Sequence, residues 1–374
     1  MHFPAISSSI VAFASHLASR QVFTLSPIDN FYAAAYYPDP FIKALALTIF
    51  FTLSCWLFSL IPLGSQFRRN YSHVDRCWSI LPIFCSWVYF GYQVYTSSGF
   101  ATLSQNLSTR TFATTLLVTI WGCRLTFNAI RKGYYSFDYE DYRWEIVTAL
   151  IKNPILWEIF NFLFIAGFQV FLLFALTWPV YYIYLQEQNY VFSASTFTPL
   201  FFKPIDYAFI AVMLLLLLGE TVSDQQQWDY HQQKKLYAQI EARNVEAAAE
   251  NRAAEPFPFS DLEIERIKIG FVHTGLWKYS RHPNFFCEQA FWVTLAVYSY
   301  INGAHVTDFN SYSFSLLQYA FGAFILVILF AESTTLTESI SETKYPLYVE
   351  YAAHTSSIVP YFSNLRLSTK EKQS

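Results

Sequence analysis

Residues 204–227 read PIDYAFIAVMLLLLLGETVSDQQQ, and the reading of that run decides the fold. Between 204 and 219 the only charge is Asp206, and five consecutive leucines fill 214–218. At Glu220 the character reverses, and Asp224 and three glutamines follow. A hydrocarbon core about 30 Å thick takes roughly 20 mostly apolar residues as a helix, because backbone groups there must bond within the segment. The run therefore predicts a membrane-crossing helix whose far end emerges into water.

Working outward, seven such runs occur, at about 41–64, 77–95, 111–130, 155–184, 204–220, 285–301 and 314–331. The predicted fold class is all-α: a polytopic integral membrane helical bundle with seven or more transmembrane helices. The fourth run is too long for one upright span, and Pro179 is expected to bend it or end it early. The stretch 3–23, interrupted by His16 and Arg20, is read as an amphipathic or additional segment, since it lacks the basic start and small-residue cleavage site of a signal peptide. Three parts result: an N-terminal segment 1–40, a transmembrane domain 41–362 with a polar insert at 225–270, and a tail 363–374. Composition agrees, with 14% charged residues and 20% aromatic against about 25% charged in soluble proteins. Disorder, collagen and a disulfide scaffold are excluded. The five cysteines form no C-x-x-C pair and are read as packing residues. With 24 basic and 27 acidic side chains there is no basic stripe for nucleic acid, so the expected partners are membrane lipids, a small substrate and a soluble cofactor.

Sidedness follows from the loops. Segments 65–76, 130–154, 221–284 and 332–374 hold nineteen of the 24 Lys and Arg residues, whereas 97–110, 186–203 and 303–313 hold only Arg110 and Lys203. Positive charge stays cytosolic, so the tail is expected in the cytosol and the N-terminus in the lumen. Asn106-Leu107-Ser108 then forms a lumenal glycosylation sequon.

Charges at bilayer depth cost several kcal/mol and point inward. Arg124 in the third run shares a helical face with Asn128 and Arg131, at i+4 and i+7. Glu220 and Asp224 share another at the end of the fifth run, with Gln227 on the same face, as a site for a ribose or an arginine; a metal needs more oxygen or histidine ligands than this, and none is assigned. Arg124 or Arg281 is the expected partner of these carboxylates. Asp75-Arg76 and Glu140-Asp141-Tyr142-Arg143-Trp144 line a cytosolic mouth, and Asp75 can donate a proton only if burial raises its pKa. The densest constellation is 275–289, GLWKYSRHPNFFCEQ. Pro283 suits the first turn of a helix, which puts Asn284 and Glu288 on one face with Arg281 and His282 just outside it. A guanidinium there can fork onto phosphate, while an amide and a carboxylate can read a carboxamide or ribose.

Leu276-Trp277-x-Tyr279-Ser280-Arg281-His282-Pro283-Asn284-x-Phe286-x-Glu288 resembles the C-terminal signature of the steroid 5-alpha-reductase superfamily, in its polytopic branch of bacteria, fungi and plants. Asp75-Arg76-x-Trp78-Ser79, Trp121-Gly122-x-Arg124-Leu125-Thr126-x-Asn128, Glu220-x-x-x-Asp224-x-Gln226 and Lys344-Tyr345-Pro346-x-Tyr348-x-x-Tyr351 resemble the same branch in order, over roughly 70–362. The resemblance implies a reductase of the endoplasmic reticulum membrane that draws NADPH from the cytosol and hydrogenates a carbon–carbon double bond of a sterol, steroid or other small apolar lipid. It implies that Asn284 and Glu288 meet the nicotinamide end. Phe285 and Cys287 depart from the Asn-Tyr-x-Gly-Glu pattern of the steroid reductases, and the Glu and Tyr pair that polarises the steroid ketone has no counterpart. On this reading Arg124, Asn128, Glu220, Asp224, Arg281, His282, Tyr348 and Tyr351 also contact the cofactor, and Tyr279 and His282 are the candidate proton donors. Two alternatives stand beside it. The chain is more distantly similar to isoprenylcysteine carboxyl methyltransferases, which implies S-adenosylmethionine as cofactor; the other is a lipid-binding membrane protein without catalysis.

Overall fold

The computed structural model describes residues 39–65, 67–96, 103–193, 202–303, 316–362 and 367; the expectations for 3–23 and for most of the tail lie outside them. All regular structure among the described residues is helical. In chain order the helices are α1 (Pro40–Leu60), α2 (His73–Cys77), α3 (Ile80–Thr96), α4 (Leu103–Asn106), α5 (Arg110–Arg131), α6 (Tyr142–Leu150), α7 (Pro154–Phe160), α8 (Gln169–Ala175), α9 (Trp178–Ser193), α10 (Pro204–Ala249), α11 (Asp261–Ile269), α12 (Pro283–Gly303), α13 (Leu316–Lys344) and α14 (Tyr348–His354). A π-helical stretch, Asn161–Phe168, joins α7 to α8, and a 3₁₀ turn, Gly275–Lys278, precedes α12.

The helix starts follow local chemistry. Asp39 accepts the Phe41 amide at 2.9 Å with Pro40 in the first turn, Thr109 caps α5 through the Phe112 amide at 3.2 Å, and Asn153 caps α7 just before Pro154, each satisfying amides that a helix leaves unpaired. Pro179 does end a helix. Its ring conflicts with the carbonyl four residues back, and α8 stops at that residue, Ala175. α13 presses on the break: a Cβ at Gly322 would stand 2.5 Å from the Ala175 carbonyl oxygen.

Among the described residues each apolar run falls mainly on helix. Four helical segments, Pro40–Leu60, Pro154–Glu187, Pro204–Ala249 and Leu317–Lys344, are long and apolar enough to cross a membrane, by length and composition. The other three runs fall on α3, which is short, and on α5 and α12, which carry Arg124, Asn128, Asn284 and Glu288. These two polar helices also feed the core, with Trp121 and Trp292 fully buried and their rings 4.9 Å apart, edge to face. α10 runs on far past its apolar part. At 46 residues it is about 70 Å long, so its second half forms the polar insert and turns back through α11.

Two expectations change. Asn106 is 1% exposed, and an oligosaccharide needs that amide in solvent, so the sequon is closed in this fold. Arg110, read as a loop-edge charge, is buried: Nε and Nη2 reach the Asp206 carboxylate at 3.0 and 2.7 Å, Tyr298 donates to the same carboxylate at 2.9 Å, and Glu187 accepts the Arg110 and Thr111 amides at 2.7 and 3.1 Å. One carboxylate thus closes an ion pair while the other caps α5.

Candidate functional site

Six of the residues singled out in the sequence meet where α5, α10 and α12 pack together. Arg124 Nη1 donates to Asp224 Oδ2 and Nη2 donates to Glu220 Oε1 at 3.2 Å. Asn128 Nδ2 donates to the same Asp224 oxygen at 2.6 Å, and Asn284 Nδ2 donates to its other oxygen, Oδ1, at 3.2 Å. Glu288 lies one turn after Asn284, within electrostatic reach of Arg124 and Asp224. Of the two expected arginine partners it is therefore Arg124 that joins the carboxylates. Glu220 is fully buried, and Asp224 and Glu288 nearly so.

Backbone approach makes the cluster possible. α10 and α12 touch at Gly219, where a Cβ would stand 2.8 Å from Cys287 Sγ; the thiol that replaces the glycine of the resembled pattern is seated against a glycine on the facing helix. α5 meets α3 in the same way at Gly122, where a Cβ would stand 2.7 Å from the Ser79 carbonyl oxygen.

Two properties define what this cluster can do. Arg124 is its one guanidinium, facing the three carboxyl groups of Glu220, Asp224 and Glu288. Buried polar atoms also remain without a partner among the described residues: Arg124 Nε as donor, and Glu220 Oε2, Asn284 Oδ1 and Glu288 Oε1 as acceptors. Such atoms cost free energy unless a ligand or water meets them. A primary carboxamide, which carries both donors and an acceptor, complements that set; a phosphate, an acceptor on every oxygen, does not, because three of the four unmet atoms are themselves acceptors. The residues present fit the nicotinamide end of NADPH.

The remaining candidates form a separate assembly. Arg281 donates from Nε and Nη2 to the two oxygens of Glu338, both at 2.8 Å, and from Nη1 to the carbonyls of Ala352 and Thr355. His282 Nε2 lies 3.0 Å from Glu338 Oε1, which also accepts Ser357 Oγ at 3.0 Å. The Arg281 and His282 amides donate to the carbonyls of Ser356 and Ser357 at 2.8 and 3.0 Å. Tyr351 spends its hydroxyl on the Trp277 carbonyl, and Tyr348 is buried beside it against Phe271. Tyr279 sits at the edge, its ring against Phe362. The Arg-His pair expected to hold phosphate is thus a latch that fastens 356–361 across the start of α12. Glu338 was missed in the sequence, where it is one acid among several at the polar end of a long run; its signal was the need of Arg281 and His282 for a carboxylate.

A third group ties the 65–76 segment to 130–144. Arg76 donates to the carbonyls of Tyr134, Ser136 and Tyr139 at 2.8, 2.9 and 3.1 Å, and Trp144 Nε1 donates to Asp75 Oδ2 at 3.3 Å. Desolvation pushes the Asp75 carboxyl up to about 6, against the pull of Arg143, so the condition for Asp75 as a proton donor is met. The neighbouring His73 is driven down to about 4 by burial and by Arg76.

A match to the family of proteins of unknown function DUF1295, which includes steroid 5-alpha-reductase-like proteins, spans residues 63–355. An uncharacterised protein of Schizosaccharomyces pombe is 33% identical over 323 residues, covering 86% of this chain and 80% of the yeast protein. No solved structure matches. The matched segment begins before α2 and ends after α14, taking in the first and third polar clusters and all of the second but its 356–361 stretch of chain, and on that extent the chain belongs to the DUF1295 family.

Proposed function

We propose that the protein is a membrane-embedded, NADPH-dependent reductase of a carbon–carbon double bond in a sterol, steroid or other apolar lipid. The supporting observation is the set of unmet donors and acceptors on Arg124, Glu220, Asn284 and Glu288, buried inside a bundle of membrane-length helices. In this reading all seven runs cross the bilayer, the basic ends lie in the cytosol, the C-terminus is cytosolic, and the membrane is that of the endoplasmic reticulum. NADPH, when bound, supplies the hydride. Asn284 and Glu288 hold the carboxamide and so fix which face of the ring meets the substrate; Arg124 keeps Glu220 and Asp224 in place. The apolar lining excludes water, and holding the reactants in register supplies most of the rate gain. Tyr279 and His282 stand as the candidate proton sources of this reading, and Asp75, whose carboxyl burial raises to about 6, joins them.

One observation favours a second reading. Three carboxyl groups around a single guanidinium also suit a sulfonium, so an S-adenosylmethionine-dependent methyltransferase is the rival. Purified full-length protein in detergent separates them, because a ligand that binds only the folded state raises thermal stability by mass action. NADPH is expected to raise the unfolding temperature, and Glu288→Gln to reduce the rise while leaving unliganded stability close to wild type. A rise with S-adenosylmethionine alone transfers the assignment to the methyltransferase; no rise with either leaves a lipid-binding protein.

A further inference from the structure

The carboxyl cluster offers a phosphate mostly acceptors and Arg281 is spent on Glu338, so the anionic part of any nucleotide needs other cations. α10 supplies the direction. Glu220, Asp224, Gln227, His231 and Lys234 recur at intervals of three and four and form one stripe, acidic at the apolar end and basic beyond it. From Glu220 to His231 is about 16 Å along the axis, of the order of an extended dinucleotide.

At the basic end three elements converge. Lys234 Nζ donates to the Gly270 carbonyl at 2.6 Å and to the Tyr345 hydroxyl at 3.0 Å, which fixes α10 against the end of α13. His231 feels the charges of Lys132, Lys234 and Lys344 together, and Lys132, which ends α5, feels Arg131 and Arg124. Lys132, His231 and Lys344 keep exposed side chains. Desolvation pushes the Lys132 ammonium below its ordinary range despite Asp224. Arg131 lies 4.7 Å over the Trp228 ring and donates to Gln225 Oε1 at 2.7 Å, with its buried Nε unmet. Mutual repulsion among so many cations is relieved when an anion settles between them.

We infer that Lys132, His231 and Lys344, braced by Arg131 and Lys234, form a binding site for a phosphate ester where α10 meets the ends of α5 and α13. The ester belongs to the nucleotide if the reductase reading holds, and to an anionic lipid headgroup if it does not; for the first source the inference rests on that reading.

The test uses the full chain in detergent with inorganic pyrophosphate, NADPH, and mixed micelles containing phosphatidic acid, comparing wild type with Lys132→Gln/Lys344→Gln. Lys152→Gln, exposed before α7, controls for net charge. The double variant is expected to lose at least tenfold in affinity for pyrophosphate and for the phosphate-bearing partner that wild type prefers, while the control binds as wild type does. Phosphatidic acid bound selectively through these lysines, with no response to NADPH, keeps the site and removes the reductase reading. NADPH bound equally by wild type and the double variant keeps the reductase reading and overturns the site. Absence of binding of all three probes to wild type overturns it as well.

Discussion

Asp75 carries the most direct consequence of burial outside the spans. Its carboxyl is held at about 6 against an ordinary 3.8, so folding favours the neutral form. The stability this contributes is fully present below pH 3.8, falls as pH rises through 6, and is gone above that. Asp75→Asn keeps an acceptor for the Trp144 indole and removes the titration. Thermal unfolding between pH 4 and 8 is expected to show a flatter profile for Asp75→Asn, with a gain of about 1–2 kcal/mol at pH 7.5 after allowance for partial solvent access. A parallel profile for the two proteins contradicts the assignment. Glu338 makes the opposite case, since removing one partner leaves the other charge buried without compensation. Glu338→Ala is expected to cost about 3 kcal/mol and to release 356–361 to protease, read by limited proteolysis; Glu338→Gln, which keeps an acceptor, costs less.

Among the helices, legibility followed polarity. The runs at 41–64 and 204–220 could be read from hydropathy alone because their few charges, Lys43, Asp206 and Glu220, lie near the ends, and the i, i+4 spacings on α5, α10 and α12 fixed which side chains share a face. Which faces meet was not legible. Arg124 and Arg281 are equivalent in sequence as partners for Glu220, and only the packing of α5 on α10, with Arg281 held by Glu338, sets Arg124 rather than Arg281 beside it. Glu338 and Asp206 escaped notice because each looks like an ordinary helix-end acid until its arginine, 57 or 96 residues away, is in view. The break after α8 was legible through Pro179; its covering by Gly322 was not. Gly322→Val forces side-chain atoms into the Ala175 carbonyl and is expected to cost about 2–3 kcal/mol, measured as a drop in unfolding temperature, whereas valine at Gly133, where a Cβ meets no neighbour within 4 Å, pays only for its positive φ.

At the scale of the whole molecule, α5, α10 and α12 contribute a polar seam, and α10 is also one of the four most apolar helical segments. The seam is acidic where it is apolar-walled and basic where α10 leaves the bundle, and that gradient is what a ligand with an amide head and a phosphate tail requires. The latch of Arg281 and His282 on Glu338 holds the C-terminal segment over the start of α12, so the residues most suggestive of phosphate contact in the sequence shape the seam rather than enter it. The central claim is that this seam takes up the coenzyme. An electron cryo-microscopy map of the full chain in lipid nanodiscs with NADPH added tests it most directly: density is expected between Arg124, Asn284 and Glu288 and running along α10 to Lys132 and His231. A map in which those side chains close on one another or turn to the acyl chains, with no density along that path, contradicts the account.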